Sequence, residues 1–168
     1  MATQIDLSGV SEDATNLRDM LDGIVERVEN TFQSYNVELP KRRYWTMGQP
    51  AVDCDQLVVS FIQAYLGPPG AEVGEPQRCN VPRSATVVIS IAREVPTVGV
   101  NGRPPSPERI SEAASVSAID SWVLLESINS LDMWDESGYG TGVIATLDVS
   151  PPEGGFQITN LQITMVIP

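Results

Sequence analysis

Between Gln49 and Glu94 the chain reads QPAVDCDQLVVSFIQAYLG, then PPGAEVGEPQRCNV, then PRSATVVISIARE. Two β-rich runs are thus joined by a fourteen-residue loop of Pro, Gly and Glu. This layout constrains the fold more than any other feature, because two long strands in succession need a sheet and something to cover it. In the first run Val59, Phe61 and Tyr65 share one face and Val58, Ile62 and Leu66 the other, so both faces need cover. The second run is cleaner. Ala85, Val87, Ile89 and Ile91 alternate with Thr86, Ser90 and Glu94, the period-two pattern of a half-buried strand. A plain hairpin places Leu66 near Pro82 and Cys54 near Val95. Cys79, in the loop, then meets Cys54 only if the loop folds back along the sheet, so two reduced thiols are expected.

Two helices are predicted around this pair. Ser11 is a good N-cap, and Glu12 and Asp13 follow in the first turn, where the helix dipole favours acids. Ala14, Leu17, Leu21, Ile24, Val28 and Phe32 then recur at steps of three or four, with Asp19, Asp22, Glu26 and Glu29 on the other side. Gly23 weakens this helix by about 1 kcal/mol relative to alanine, and Pro40 marks its end. Lys41, Arg42 and Arg43 follow as the one basic cluster, read as a solvated turn or as a contact with an acidic neighbouring subunit. After the second strand, PTVGVNGRPPSP carries an Asn101-Gly102 turn signal among four prolines. The second helix opens on Ser106, with Pro107 at its first position. Ile110, Ala113, Ala114, Ser117, Ser121, Leu124, Leu125 and Ile128 form its expected inner face. Trp122 lies off that stripe, at the core edge or in a subunit contact.

A hairpin closes the chain. Val143, Ala145, Leu147 and Val149 alternate with Ile144, Thr146 and Asp148, and Pro151-Pro152-Glu153-Gly154-Gly155 turns the chain back. Leu161, Ile163, Met165 and Ile167 share a face of the last strand. Phe156 and Ile158 are out of phase with them, which predicts a bulge near Thr159-Asn160. The expected order is α-β-β-α-β-β, an α+β domain over 1–168 with a mixed or antiparallel sheet of four or more strands packed against two helices.

Charge limits the function. The 168 residues carry 22 acids, 10 bases and no histidine, a net −12. Nonspecific duplex binding needs a positive field to release counterions from phosphate, and this chain supplies the opposite. No apolar run approaches the roughly 20 residues that cross a bilayer. The amino terminus lacks the basic start and apolar region of a secretion signal, so a soluble product made in a cytoplasm is expected.

Catalytic signatures are missing. Without histidine there is no Ser-His or Cys-His pair, and two cysteines alone do not complete a four-ligand zinc site. GYGTG at 138–142 leads into a strand, whereas phosphate-binding glycines lie between a strand and a helix. Asp132, Asp135 and Glu136 lack the spacing of a calcium loop, and Asp53 and Asp55 lack a third carboxylate. No catalytic residue, metal or cofactor is assigned. Carboxylates assembled from distant segments leave a carboxylate-based enzyme as the reading from a different class.

The segments AVDCDQLVVSF and RCNVPRSA, in their β-loop-β setting, resemble the tail-terminator proteins of lambda-like long-tailed phages. The resemblance implies a homo-oligomeric ring, a hexamer, that caps the tail tube, ends its polymerisation and joins the tail to the head connector. A connector or stopper, or the tail tube protein itself, is the neighbouring alternative. The implied partners are further copies of the chain, the major tail tube protein and the head-tail connector. The implied place is the neck of the virion, assembled in the host cytoplasm, with DNA passing through without specific binding. Lys41, Arg42, Arg43, Val98, Asn101 and Arg103 are then candidates for subunit contacts, and the loops Pro68–Val81 and Pro96–Pro105 for contact arms. Asp19, Asp22, Glu26 and Glu29 are candidates for an acidic channel lining that keeps DNA sliding, or else for an outer solvated face.

Overall fold

The structure, a computed structural model, describes residues 12–70, 82–98, 102–129 and 144–167. Two helices, α1 (Glu12–Ser34) and α2 (Pro107–Asn129), accompany five strands: β1 (Arg42–Met47), β2 (Gln56–Leu66), β3 (Arg83–Glu94), β4 (Ile144–Val149) and β5 (Phe156–Ile167). They form one sheet in the order β1-β2-β3-β5-β4, with β1 parallel to β2 and every other pair antiparallel. The fold is α+β with a mixed sheet. Its order is α-β-β-β-α-β-β, so the expected order gains a strand. Arg42 and Arg43 lie in that strand rather than in a solvated turn.

Both helices cover one face of the sheet. Leu21, Ile24, Val28 and Phe32 of α1 are buried with Val123, Leu124 and Ile128 of α2 against Leu57, Val59, Val87, Ile89, Ile91, Leu161, Ile163 and Met165. The stripe read from the sequence of the first helix is therefore its buried face, although Ser11 and the side chain of Ala14 fall outside the described residues. The helix ends before Pro40. Asn36 takes a left-handed φ of 53°, and the Asn36 and Val37 amides donate to the Gln33 and Phe32 carbonyls at 3.0 and 2.9 Å. This pair of bonds is the Schellman ending, which satisfies the last carbonyls and stops the helix.

β2 and β3 pair as the hairpin spacing requires, with Leu66 opposite Arg83 and Gln56 opposite Ala92. A bulge at Ile62 was not expected. Phe61 pairs with Val87 while Gln63 pairs with Thr86, so the side-chain alternation flips there. Tyr65 consequently lies on the face opposite Val59, not beside it. The expected bulge near Thr159-Asn160 is absent, since β5 keeps an unbroken register against both β3 and β4. Phe156 and Ile158 simply belong to the second face of the sheet, which is itself partly covered.

That cover has two sources. The connection 48–55 must return the chain along β1 to start β2 in parallel. Six strand residues span about 20 Å, and eight extended residues reach about 26–29 Å, so a taut crossover suffices without a helix. It turns at Gly48, where φ is 76°. It then lies over the second face, where Gln56 Nε2 donates to the Ala51 carbonyl at 2.8 Å. The other source is the segment leaving β2. Ser84 Oγ donates to the Gly67 carbonyl at 2.6 Å, and the Gly70 amide donates to Tyr65 Oη at 3.1 Å. Gly70, at φ 83°, lies so close to Ile144 that a Cβ would stand 2.5 Å from its Cδ1. The start of the Pro68–Val81 loop thus packs on its own sheet. Residues 71–81, including Cys79, lie outside the described residues. Cys54 is a free thiol.

Candidate assembly surface

Helix α2 has two unlike faces, and the side chain that selects between them is a charged one. The helix starts as its sequence dictates: the Arg109 amide donates to Ser106 Oγ at 3.4 Å. The Glu108 backbone N–H, and after it the Ser106 hydroxyl, hold the Glu108 carboxyl below its ordinary pKa. The buried residues are Ser117, Asp120, Val123, Leu124, Ser127 and Ile128. This stripe is rotated from the expected one, leaving Ile110, Ala114 and Leu125 exposed. The cause is Asp120. Its side chain is 1% exposed, and its two oxygens accept from Arg93 Nε at 2.9 Å and Nη2 at 3.0 Å. Arg93 also donates to the Glu38 carbonyl at 2.7 Å. Burial alone lowers the Arg93 pKa, but the hydrogen bonds and charge of Asp120 outweigh it and the net shift is upward. The forked pair is a strong geometry, and it fixes the roll of the helix about its axis.

The roll leaves apolar side chains outside. Ile119, Trp122 and Leu125 are 47%, 48% and 43% exposed, with Val116 at 39% beside them. Tyr35, just past α1, meets Trp122 edge-on with ring centroids 4.5 Å apart and is itself 47% exposed. Between Glu112 and Glu126 the helix carries one charge, Asp120, and that charge is buried. Its serines add little polarity, because Ser115 and Ser121 turn their hydroxyls onto the Ser111 and Ser117 carbonyls at 2.8 and 2.7 Å. The result is a partly aromatic surface that bears no charge between Glu112 and Glu126, bordered by Arg27 and Glu126 beside Tyr35, on a chain of net −12. Trp122 is half exposed, with its ring set against Tyr35.

The residues singled out from the sequence occupy other places. Arg42 Nη1 contacts Asp53 Oδ1 at 2.8 Å, and Arg43 Nε contacts Glu29 Oε1 at 2.7 Å. Lys41 is exposed just before β1. Beside Arg42, Asp53 is held below the usual carboxylate range, by its hydrogen bond with Cys54 first and by the guanidinium charge second. Of the four channel-candidate acids on α1, Asp22 accepts from Trp45 Nε1 at 2.7 Å and lies 3.6 Å from Arg18, while Glu29 holds Arg43. Two of the four therefore tie α1 to β1, and Asp19 and Glu26 remain exposed. Val98 and Arg103 are exposed on the proline-rich loop. Asn101, the GYGTG run, and Asp132, Asp135 and Glu136 fall outside the described residues. Among the described residues no three His, Cys, Asp or Glu side chains gather as metal ligands, and no helix is long and apolar enough to cross a membrane.

Sequence reasoning missed Ile119, Leu125 and Tyr35 as surface residues and Asp120 as a buried one. The available signal was the stretch AASVSAIDSWVLL, whose single charge had to be either its wettest point or a paired core group. No protein-family model matches the chain, and no curated protein matches it.

Proposed function

We propose that this protein is a structural virion protein of a long-tailed phage, a homo-oligomeric ring of the tail-terminator type. The ring caps the tail tube, ends its polymerisation and presents its opposite side to the head connector. Its mechanism is geometric and uses no active site: a closed ring of heterologous contacts matches the tube end on one side and a different surface on the other. The observation that carries the assembly reading is the outer face of α2, which bears no charge between Glu112 and Glu126 and continues onto Tyr35. Copies of a chain at −12 repel one another, and a contact forms at least cost where neither surface brings acids to it. The place in a phage neck rests on the sequence resemblance.

Sedimentation and negative-stain imaging test the assembly directly. Concentrated protein, alone or on tube ends, should give annular particles. Ile119→Glu with Leu125→Glu should leave the fold intact, since both sites are near half exposed and surface changes cost within about 0.5 kcal/mol. The same pair should weaken assembly at least about 100-fold, close to 3 kcal/mol of association free energy. Wild-type protein that stays monomeric and ignores tube ends, or a double variant that assembles normally, refutes the proposal.

The channel reading narrows to Asp19 and Glu26, because Asp22 and Glu29 are engaged by β1. If these acids line the DNA path, Asp19→Lys with Glu26→Lys should slow genome ejection severalfold, and added salt should restore it. Ejection at the normal rate in low salt would place this face outside the ring.

A further inference from the structure

The sheet has two open edges. Among the described residues β1 and β4 end the strand order, and each pairs with one strand only, β2 and β5 respectively. Both are six residues long. Exposed edges are normally blunted by prolines, bulges or charges projecting over them. Neither strand contains a proline, and both keep an unbroken register. The arginines of β1 lie back on their own subunit, Arg42 on Asp53 and Arg43 on Glu29.

The backbone groups that face these edges follow from two bonds. The Gly48 amide donates to the Phe61 carbonyl and the Ser150 amide to the Ile158 carbonyl, each at 2.8 Å. Both therefore point into the sheet. Direction alternates along a strand, which turns the peptide groups of Arg43, Trp45 and Met47 outward on β1. On β4 it turns out those of Ala145, Leu147 and Val149. Trp45 and Leu147 pack against the core from its two rims, while Met47 and Val149 are 60% and 42% exposed. β1 runs with β2, and three antiparallel steps then reverse β4 relative to it. Copies in the same orientation thus bring unlike edges together antiparallel.

We propose that β4 of one copy pairs antiparallel with β1 of the next, a contact that rests on the ring reading above and names where its copies meet. The register that matches the most outward groups sets Leu147 opposite the neighbour's Trp45, which joins the two core rims. On the other face Thr146 lies opposite Thr46, and Asp148 lies opposite Tyr44 and diagonal to Arg42. The carboxylate thereby meets the guanidinium that stands 5.3 Å over the Tyr44 ring. Like edges lack this complement: β1 against β1 sets two arginine-bearing strands together, and β4 against β4 leaves Asp148 without a cation. One edge of each kind per contact is the heterologous arrangement that a closed ring needs. Helix α2 contacts β4 and β5 while α1 contacts β1 and β2, so the joint also sets α2 of one copy beside α1 of the next.

Cysteine cross-linking tests the register, with Thr46→Cys and Thr146→Cys each made in a full chain carrying Cys54→Ser and Cys79→Ser. Directly opposed residues of this kind stand about 4.5 Å apart between Cα atoms, within disulfide reach. Within one chain the two positions lie at opposite edges, about 19 Å apart by strand spacing, so a bond between them joins copies. Mixed under oxidation, the two proteins should link into dimers while each alone stays unlinked, and the double variant should give a ladder that ends in a closed ring. Thr46→Cys with Ser150→Cys, four residues out of register, should give roughly a tenth of that yield or less. Ala145→Pro removes an outward amide and no bond of the subunit, so circular dichroism should be unchanged while assembly falls at least about tenfold. Asp148→Lys, facing Arg42, should weaken assembly similarly. Self-linking of either single variant shows like edges pairing and overturns the proposal. Slow hydrogen exchange of the Trp45 and Ala145 amides in dilute monomer also overturns it, since the chain then covers its own edges. Rings that form without the link between positions 46 and 146 overturn this contact and leave the ring reading standing, whereas monomers throughout overturn both.

Discussion

Asp120→Ala should destabilise the protein by about 3–5 kcal/mol, because it strands a charge in the core. Arg93 is 12% exposed and its guanidinium spends two of its donors on Asp120. Without the carboxylate, Arg93 keeps its bond to the Glu38 carbonyl and the more distant charges of Asp55 and Glu38, and none of these replaces the fork. Single domains hold about 5–15 kcal/mol in total, so the loss is a large share of stability. For a chain of this size it lowers the midpoint of thermal unfolding by roughly 6–20 °C. Arg93→Met with Asp120→Leu should recover most of that loss, since apolar replacement of a buried pair is close to neutral. Thermal and urea unfolding of the three proteins check both statements. A cost under about 1 kcal/mol for Asp120→Ala would show that the pair behaves like an exposed bridge. The double variant bears on assembly as well. It removes the fork that fixes the roll of α2, so on the proposed assembly its ring formation should weaken even where its stability is recovered.

Phe32→Ala should cost about 3–5 kcal/mol, the range for removing a buried aromatic side chain. Phe32 is fully buried and lies where α1 ends, beneath the Val37 amide bond that closes the helix. Truncation therefore opens a cavity and loosens the Schellman ending together, with Val37 losing its packing partner. Phe32→Leu keeps most of the volume and should cost clearly less. Chemical unfolding separates the two, and similar losses for Ala and Leu would mean that the core needs the shape of the ring itself and not only its volume.

Much of the architecture is legible in local pattern. Period two over Ala85–Ile91 and period 3.6 over Leu21–Phe32 report which side chains must leave water, and the sheet and the first helix bury those residues. The paired runs also place the hairpin register to within a residue, Leu66 facing Arg83 beside the expected Pro82, because a slip would turn the alternating apolar residues of β3 to the wrong face. Strand β1 was less visible. Its six residues include two arginines, and their partners Asp53 and Glu29 lie far along the chain, so composition pointed to a turn. The bulge at Ile62 was invisible for a similar reason, since one extra residue changes the phase without changing the composition.

The roll of α2 is the clearest case of a decision that belongs to tertiary structure. Its sequence is apolar or small on nearly every side, so periodicity offers several inner faces of similar merit. Arg93, projecting from β3 toward the helices, needs a carboxylate, and Asp120 is the one charge in that stretch of helix. Burying the pair turns Ile119, Trp122 and Leu125 outward and creates the surface that bears no charge between Glu112 and Glu126. The cleft on the second face likewise exists only once the crossover 48–55 has been laid over it. The sequence by itself determined the class of fold, the hairpin and the buried stripe of α1, because those follow from hydrophobic period and turn chemistry. Which side chains face outward on α2, and what covers the second face of the sheet, depended on contacts between segments distant in the chain.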